Sequence, residues 1–364
     1  MIKSISIIGL GLIGGSIAKA LRKCEREFVI KAFDREVVLE QAELDLAIDN
    51  RLYNIDEALE SDLIFLCTPV DYSIKLFKEL APRLKKNSVL TDVCGVKSVF
   101  QDLWDELESE GLYFGGHPMT GKEKGGYDNS DPLLFENSVY IISEAAKSNP
   151  LADEFLKVIK LLGARITFLN ANTHDKVVAN VSHLPQLLSV SLVNTAAKND
   201  NEINFLDFAA GGFRDMTRIA SSDFSIWEPV IKKNKDRILD SLDEFINELN
   251  SLKDKIYEGN FPVIESKFES SRIKRDEIPK NTKGFLNPLV DIFVFVSDVP
   301  GVISKISTAL FNVGINIKDI ELLKIREGTG GTFRMSFNSE SEAVIAQEVM
   351  HEIGFETKVI QDGK

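Results

Sequence analysis

Positive charge is in short supply in this chain. Forty-three Lys and Arg face 56 Asp and Glu, which leaves a formal net charge of −13 at pH 7. That balance argues against nucleic acid as a partner, because phosphate contacts need a basic surface. It argues equally against an anionic membrane surface. An anionic substrate stays open, provided that a few arginines or lysines gather locally. Cysteine is scarce as well: Cys24, Cys67 and Cys94 are odd in number and form no CxxC pair. Such usage fits a reduced, cytoplasmic protein with no disulfide framework and no zinc site, so no metal is expected. No apolar run approaches the length of a membrane span. The start, MIKSISIIGLGLIGGS, has its apolar stretch broken by glycines and reads as strand plus loop rather than a leader. Histidine is nearly as scarce, with four in 364 residues. One of the four, His117, lies in GGHPMTG (115–121), between a glycine pair and a proline.

What the chain does have is length and apolar content. With 44% hydrophobic and 27% charged residues over 364 positions, it can bury two or three cores. Residues 1–148 alternate short apolar runs with amphipathic stretches. ISIIG, FVIKAFD, LIFLCT, SVLTDV, LYFGG and VYIIS read as strands, and the alternation predicts a parallel, doubly wound α/β sheet. Over 149–271 the pattern is helical. HDKVVANVSHLPQLLSVSLVNTAAK carries a proline inside a long helical pattern, and Ile231, Ile238, Leu242, Phe245 and Leu249 recur at helical spacing. An all-α domain follows, and its long helices suggest a homodimer. The polar stretch 272–288 reads as a linker. Residues 289–364 show the order β-α-β-β-α-β of a ferredoxin-like α+β domain.

A nucleotide signal opens the chain. Gly9, Gly11 and Gly14 of IGLGLIGGS have GxGxxG spacing, directly after a strand and at the start of a helix. In a Rossmann-type domain these glycines allow a tight turn, let backbone approach a pyrophosphate and bring helix onto strand. Leu12 and Ile13 complete the loop that would hold the phosphates at the helix N-terminus. Twenty residues past Gly14, Asp34 ends the second strand. An acid there bonds a ribose 2′-hydroxyl and repels a 2′-phosphate, which favours NAD over NADP, while the neighbouring Arg35 pulls the other way.

Candidate chemistry gathers at the strand ends. Thr68 and Pro69 of CTPV, then Asp92 and Lys97 of TDVCGVKS, fall where such a sheet presents its ligand crevice. Lys97 reads equally as a site residue or a helix cap. His117 follows LYFGG at the same edge, either as a solvated loop residue or as the acceptor of a substrate proton near neutral pH. Arg214 and Arg218, in the Gly-led GGFRDMTRIASSDFSIW, suit a carboxylate-bearing substrate or an ordinary surface ion pair. His174 and His351 lie in amphipathic stretches and read as surface or boundary residues.

Taken in order and spacing, GLGLIGGS, Asp34, TDVCGVK, GGHPMTG, SHLPQ and FRDMTRIASSDFSIW resemble the prephenate/arogenate dehydrogenases of tyrosine biosynthesis. The resemblance covers about residues 1–260, and the tail, with SDVPGVISKISTAL and GINI, resembles an ACT domain. It implies NAD-dependent oxidative decarboxylation of prephenate, with arogenate as the alternative substrate. It implies His117 as acceptor of the hydroxyl proton, Arg218 on a substrate carboxylate, and Ser182, Gln186 and Trp227 near the substrate. Asp298, Gly301 and Asn316 would make a regulatory amino-acid site, tyrosine being the implied inhibitor. Two positions depart from the family pattern: Gly95 stands where many relatives carry serine, and Gln186 where many carry histidine. Competing readings are a non-catalytic sensor of nucleotide and amino acid, and another NAD enzyme such as a β-hydroxyacid dehydrogenase.

Overall fold

The computed structural model describes residues 1–24, 26–122, 124–197, 199–200, 203–277, 289–326 and 330–359. Two compact units divide the chain, Met1–Arg275 and Asp276–Lys364.

The first unit opens on six parallel strands: β1 (Ser4–Ile8), β2 (Val29–Phe33), β3 (Asn50–Arg51), β4 (Leu63–Leu66), β5 (Val89–Asp92) and β6 (Leu112–Tyr113). Their spatial order is β3-β2-β1-β4-β5-β6. The order reverses between β1 and β4, and the crevice beyond their carboxyl ends is where such sheets take ligands. Helices α1 (Leu12–Lys23), α2 (Glu36–Leu44), α3 (Val70–Leu80) and α4 (Ser98–Asp105) supply crossovers. Because side chains alternate across a strand, neighbours feed opposite cores. Ile5, Ile7, Leu63 and Phe65 join one buried cluster with Ile17 and Leu21 of α1; Ile8, Ile64 and Leu66 join the other with Phe77 of α3 and Phe100 of α4. Covering on both faces explains why these strands read as continuous apolar runs.

LYFGG does not form one strand. Only Leu112–Tyr113 joins the parallel sheet; β7 (Gly116–Pro118) starts a second one. A Cβ on Gly116 would come within 2.8 Å of the Asp92 carbonyl, so a glycine is needed where the chain crosses the end of β5. β7 pairs antiparallel with β8 (Val139–Ser143), and β8 parallel with β9 (Arg165–Leu169). Between β8 and β9 run α5 (Ala145–Ser148) and α6 (Asp153–Leu161). RITFL was expected within the helical region, yet it is β9, with Ile166 and Phe168 packed on the core of the first part.

From Ala171 the unit is almost wholly helical. α7 (Ala171–Val178) passes through a π-helical turn, Ala179–His183, into α8 (Leu184–Ala196). The proline anticipated inside the pattern, Pro185, sits in the first turn of α8, directly after the π-helical turn. A small pairing of β10 (Asn199–Asp200) with β11 (Ile203–Asn204) precedes α9 (Gly211–Thr217), and a 3₁₀ turn follows at Arg218–Ser221. Then come α10 (Phe224–Lys233), α11 (Lys235–Tyr257) and α12 (Phe261–Glu277). The stretch 225–256 is therefore two helices parted at Asn234. α12 also extends through 272–277 of the expected linker, and residues 278–288 lie outside those described. Phe208, Phe224, Phe261 and Phe268 are each at least 66% exposed in a single chain.

The second unit has β12 (Val290–Val296), α13 (Val302–Asn312), β13 (Asp319–Arg326), β14 (Gly330–Phe337), α14 (Glu340–Glu352) and β15 (Glu356–Val359). The sheet is antiparallel in the order β13-β14-β12-β15, as expected of the ferredoxin-like pattern. Ile292, Val294, Met335 and Phe337 from the sheet meet Ile306 and Leu310 of α13 and Ala346 and Met350 of α14.

Candidate active site

The glycine loop between β1 and α1 has the form that a dinucleotide requires. Gly9 has φ +95°, and a Cβ there would lie 2.8 Å from both the Cys67 carbonyl and Thr68 Cγ2. A Cβ on Gly14 would overlap the Gly9 carbonyl at 1.9 Å, so α1 sits directly on its strand. A Cβ on Gly11 would meet nothing within 4 Å. Gly11 is also the N-cap of α1, and no side chain caps that end. The first-turn N–H groups at Leu12 and Ile13 thus border open space, as a pyrophosphate site demands. These residues fit an NAD pyrophosphate.

Asp34 braces the loop from the next strand. Its Oδ2 accepts from Leu10 N at 2.6 Å and its Oδ1 from Arg35 N at 2.6 Å. The Arg35 side chain is 87% exposed and reaches back to within 3.8 Å of the same carboxylate. Across the crevice, Thr68 Oγ1 lies 2.7 Å from Ser73 Oγ, while Pro69 starts α3.

Asp92 and Lys97 are buried under the crevice. Lys97 Nζ donates to Asp92 Oδ1 at 2.5 Å, to the Cys94 carbonyl at 2.8 Å and to the Val96 carbonyl at 3.0 Å. Its three donors are all used. Asp92 is fully buried and also accepts from Cys94 N at 2.9 Å and from the Tyr113 hydroxyl at 2.8 Å. This network shapes the turn 92–97, which carries Gly95.

His117, half-buried on β7, has Nδ1 2.8 Å from His174 Nε2. His174 Nδ1 in turn lies 2.8 Å from Asp175 Oδ1. The Asp175 carboxylate also accepts from Lys97 N at 2.7 Å and Ser98 N at 2.8 Å, so it holds the start of α4 as well. Contrary to the surface or boundary position expected of it, His174 is fully buried, as is Asp175. The sequence offered only a His-Asp pair in an amphipathic helix as a signal, and nothing in that pattern points to β7. Burial pushes His117 well below the usual imidazole range, and the neighbouring Lys97 charge pushes the same way. Burial also lowers His174, although its bond to Asp175 opposes the shift. Burial alone would raise Asp175, but bonds from His174, Ser98 and Lys97 hold it at about 2.

His183, in the π-helical turn, is buried and pulled down to about 4, chiefly by burial. Its Nδ1 lies 3.3 Å from Asn234 Nδ2, which also donates to the Asp175 carbonyl at 2.8 Å. Trp227 stands edge-on to the His183 ring at 5.9 Å. Gln186 turns toward the arginine segment: its Nε2 donates to the Ile219 carbonyl at 2.9 Å, and Ser222 Oγ approaches its Oε1 at 3.5 Å. Gln186 thereby anchors the turn that starts with Arg218. Arg218 and Arg214 are exposed, Arg214 bonding the Ala209 carbonyl at 3.4 Å, and Ser182 is half-buried. In the second unit Asp298, Gly301 and Asn316 are all exposed. Asp298 and Gly301 precede α13 and Asn316 follows it, about 16 Å of helix away, so one copy of the domain does not bring the three together.

A glycine-lined dinucleotide crevice with an unprotonated imidazole at its edge defines a nicotinamide-dependent dehydrogenase. Known proteins narrow that class. Residues 17–168 match the family model "Prephenate dehydrogenase, nucleotide-binding domain", 170–269 "Prephenate dehydrogenase, dimerization domain", and 290–350 "ACT domain". The chain is 34% identical to a prephenate dehydrogenase of Bacillus subtilis, over 95% of each chain. It is 35% identical to one of Lactococcus lactis, over 96% of this chain and 97% of that one. A crystal structure of prephenate dehydrogenase from Aquifex aeolicus, in complex with hydroxyphenyl propionate and NAD+, superimposes with a TM-score of 0.69 at 29% identity. That match covers 77% of this chain and 99% of the other. The chain belongs to the prephenate dehydrogenase family.

Proposed function

We propose that this chain catalyses the NAD-dependent oxidative decarboxylation of prephenate to 4-hydroxyphenylpyruvate, in tyrosine biosynthesis. The observation that carries the reading is His117, held at the crevice edge with its Nδ1 bonded to His174, in a chain alike in sequence to prephenate dehydrogenases along almost its whole length. The glycine loop 9–14 binds the NAD pyrophosphate and Asp34 its adenosine ribose, with Arg35 alongside. NAD, when bound there, would supply the hydride acceptor for the ring carbon that bears the hydroxyl. His117 accepts the proton of that hydroxyl, which its low affinity for protons leaves it free to do at neutral pH. As the ring carboxylate departs as CO₂, its bonding electrons pass into the ring, which becomes aromatic. Arg218 pairs with a substrate carboxylate, which Arg geometry suits. Ser182 and Trp227 line the substrate side, and Gln186 steadies the Arg218 turn.

Four exposed phenylalanines in the helical region, together with its match to a dimerization domain, support a homodimer. No helix among the described residues is long and apolar enough to cross a membrane, and with the cysteine usage this supports a cytoplasmic enzyme. The ACT domain supports feedback inhibition by tyrosine, with Asp298, Gly301 and Asn316 contributing from two copies. An absorbance assay for NADH, run with prephenate or arogenate and with NAD or NADP, tests the reading. Prephenate with NAD is expected to give the highest kcat/KM. A preference for arogenate would replace the substrate, and no turnover with either would leave a sensor.

A further inference from the structure

Asp175 carries the argument from the rear of the site forward. Its carboxylate accepts from two backbone N–H groups, at Lys97 and Ser98, and at about pKa 2 it has no proton to donate. The proton between it and His174, 2.8 Å away, therefore sits on His174 Nδ1. A neutral imidazole has one N–H, so His174 Nε2 is an acceptor. That nitrogen lies 2.8 Å from His117 Nδ1, which must then be the donor. The lone pair of His117 is left on Nε2. A Cβ built on Gly95 would stand 3.8 Å from that atom, so the turn 92–97 runs beside it.

The geometry points to His174 and Asp175 as positioning residues that lock His117 in its Nδ1–H tautomer and so make Nε2 the proton acceptor of the reaction. This rests on the reading of His117 as the base. A neutral histidine with no partner on Nδ1 is free to exchange tautomers and to turn about its side-chain bonds, and only one tautomer and one ring orientation serve the reaction. Gly95 offers no hydroxyl to hold the ring from the front, so the restraint comes from behind. When Nε2 takes up a proton, the ring still donates from Nδ1 to His174, whose own N–H rests on a carboxylate. The Asp175 charge then favours the imidazolium across one intervening ring. The same carboxylate holds the first turn of α4, which ties the base to the rigid junction between the nucleotide-binding and helical regions.

Two measurements on the full-length enzyme test this. In protein labelled with ¹⁵N at histidine, imidazole correlation spectra should show His117 protonated at Nδ1 and bare at Nε2; the opposite tautomer would overturn the proposal. His174→Phe removes the acceptor, whereas the amide oxygen of His174→Gln can still receive the Nδ1–H bond. Partners that orient a metal-bound histidine from this remove are typically worth about 10–100-fold, and the same scale is expected here. His174→Phe should lower kcat by that much, with KM for prephenate and NAD within roughly twofold of the parent, and His174→Gln should recover most of the loss. Unchanged kcat in His174→Phe, or equal losses in both variants with raised KM values, would reduce the pair to a packing role. Undiminished turnover in His117→Asn, with the Nδ1–H signal of the parent intact, would instead sink the assignment of His117 as base.

Discussion

Lys97 Nζ lies 2.5 Å from Asp92 Oδ1, and the pair is sealed beneath the crevice rather than facing it. Breaking a buried pair by removing one partner typically costs about 3–5 kcal/mol. Lys97→Met should therefore lower unfolding free energy by roughly that amount, because it strands the Asp92 carboxylate. Urea titration of the two proteins measures it. A loss of NAD affinity with stability intact would instead make Lys97 a cofactor contact.

Arg218 is expected to act on binding. A hydrogen bond to a charged group is worth about 1.5–3 kcal/mol, so Arg218→Ala should raise the KM for prephenate roughly 10–100-fold. If kcat alone falls in initial-rate measurements, Arg218 acts on the transition state instead.

Asp34 holds the Leu10 N–H and is proposed to select the ribose as well. Asp34→Asn keeps an acceptor for Leu10 but removes the charge that repels a 2′-phosphate. The ratio of kcat/KM for NAD over NADP should fall in this variant while the thermal midpoint stays close to that of the parent. An unaltered ratio would move the selection to Arg35.

Gly95 has room for a side chain. Gly95→Ser meets nothing closer than 3.8 Å at its Cβ, and its stability should stay within about 0.5 kcal/mol of the parent. Gly95→Leu would carry methyl groups over His117 Nε2 and abolish turnover. An active leucine variant, measured by NADH formation, would mean that substrate reaches the histidine from another side.

Acid should destabilise the enzyme early. Burial holds His117, His174 and His183 below their unfolded value, near 6.5, with His183 at about 4. For a histidine with a depressed folded pKa, the unfolded chain binds protons first as pH falls. Stability is thus whole above about pH 7.5 and declines through 6.5 toward the folded pKa. By pH 5.5 each fully shifted histidine costs roughly 1.4 kcal/mol. Asp175, held at about 2, adds a further loss in the same direction below about pH 4. Unfolding free energies at pH 7.5 and 5.5 check this, and equal values would refute neutral burial of the cluster.

Much of this was legible from residue order alone. ISII, LIFL and VLTD are short apolar runs bounded by turn residues, which favours strands over helices, and GLGLIGG permits little except a turn onto a helix. RITFL was harder to read, because a five-residue alternation beside a long helical stretch has too little period to stand out. LYFGG misled for a different reason. Its glycines end the strand instead of extending it, and the cause, the nearby Asp92 carbonyl, is a residue of another strand.

The sequence by itself determined the nucleotide loop, the succession of an α/β sheet, a helical region and a ferredoxin-like domain, and it singled out His117 as the candidate base. These depend on local period and on glycines at fixed spacing, which act over a few residues. Only the tertiary structure decided that His174, 57 positions from His117, is its partner rather than a surface or boundary residue. It alone set Lys97 on Asp92 and turned Gln186 toward the arginine turn. Periodicity can say that a side chain is buried. Which polar atom it meets there depends on how α7 crosses β7 and the turn 92–97, and that crossing is set by packing of the whole unit.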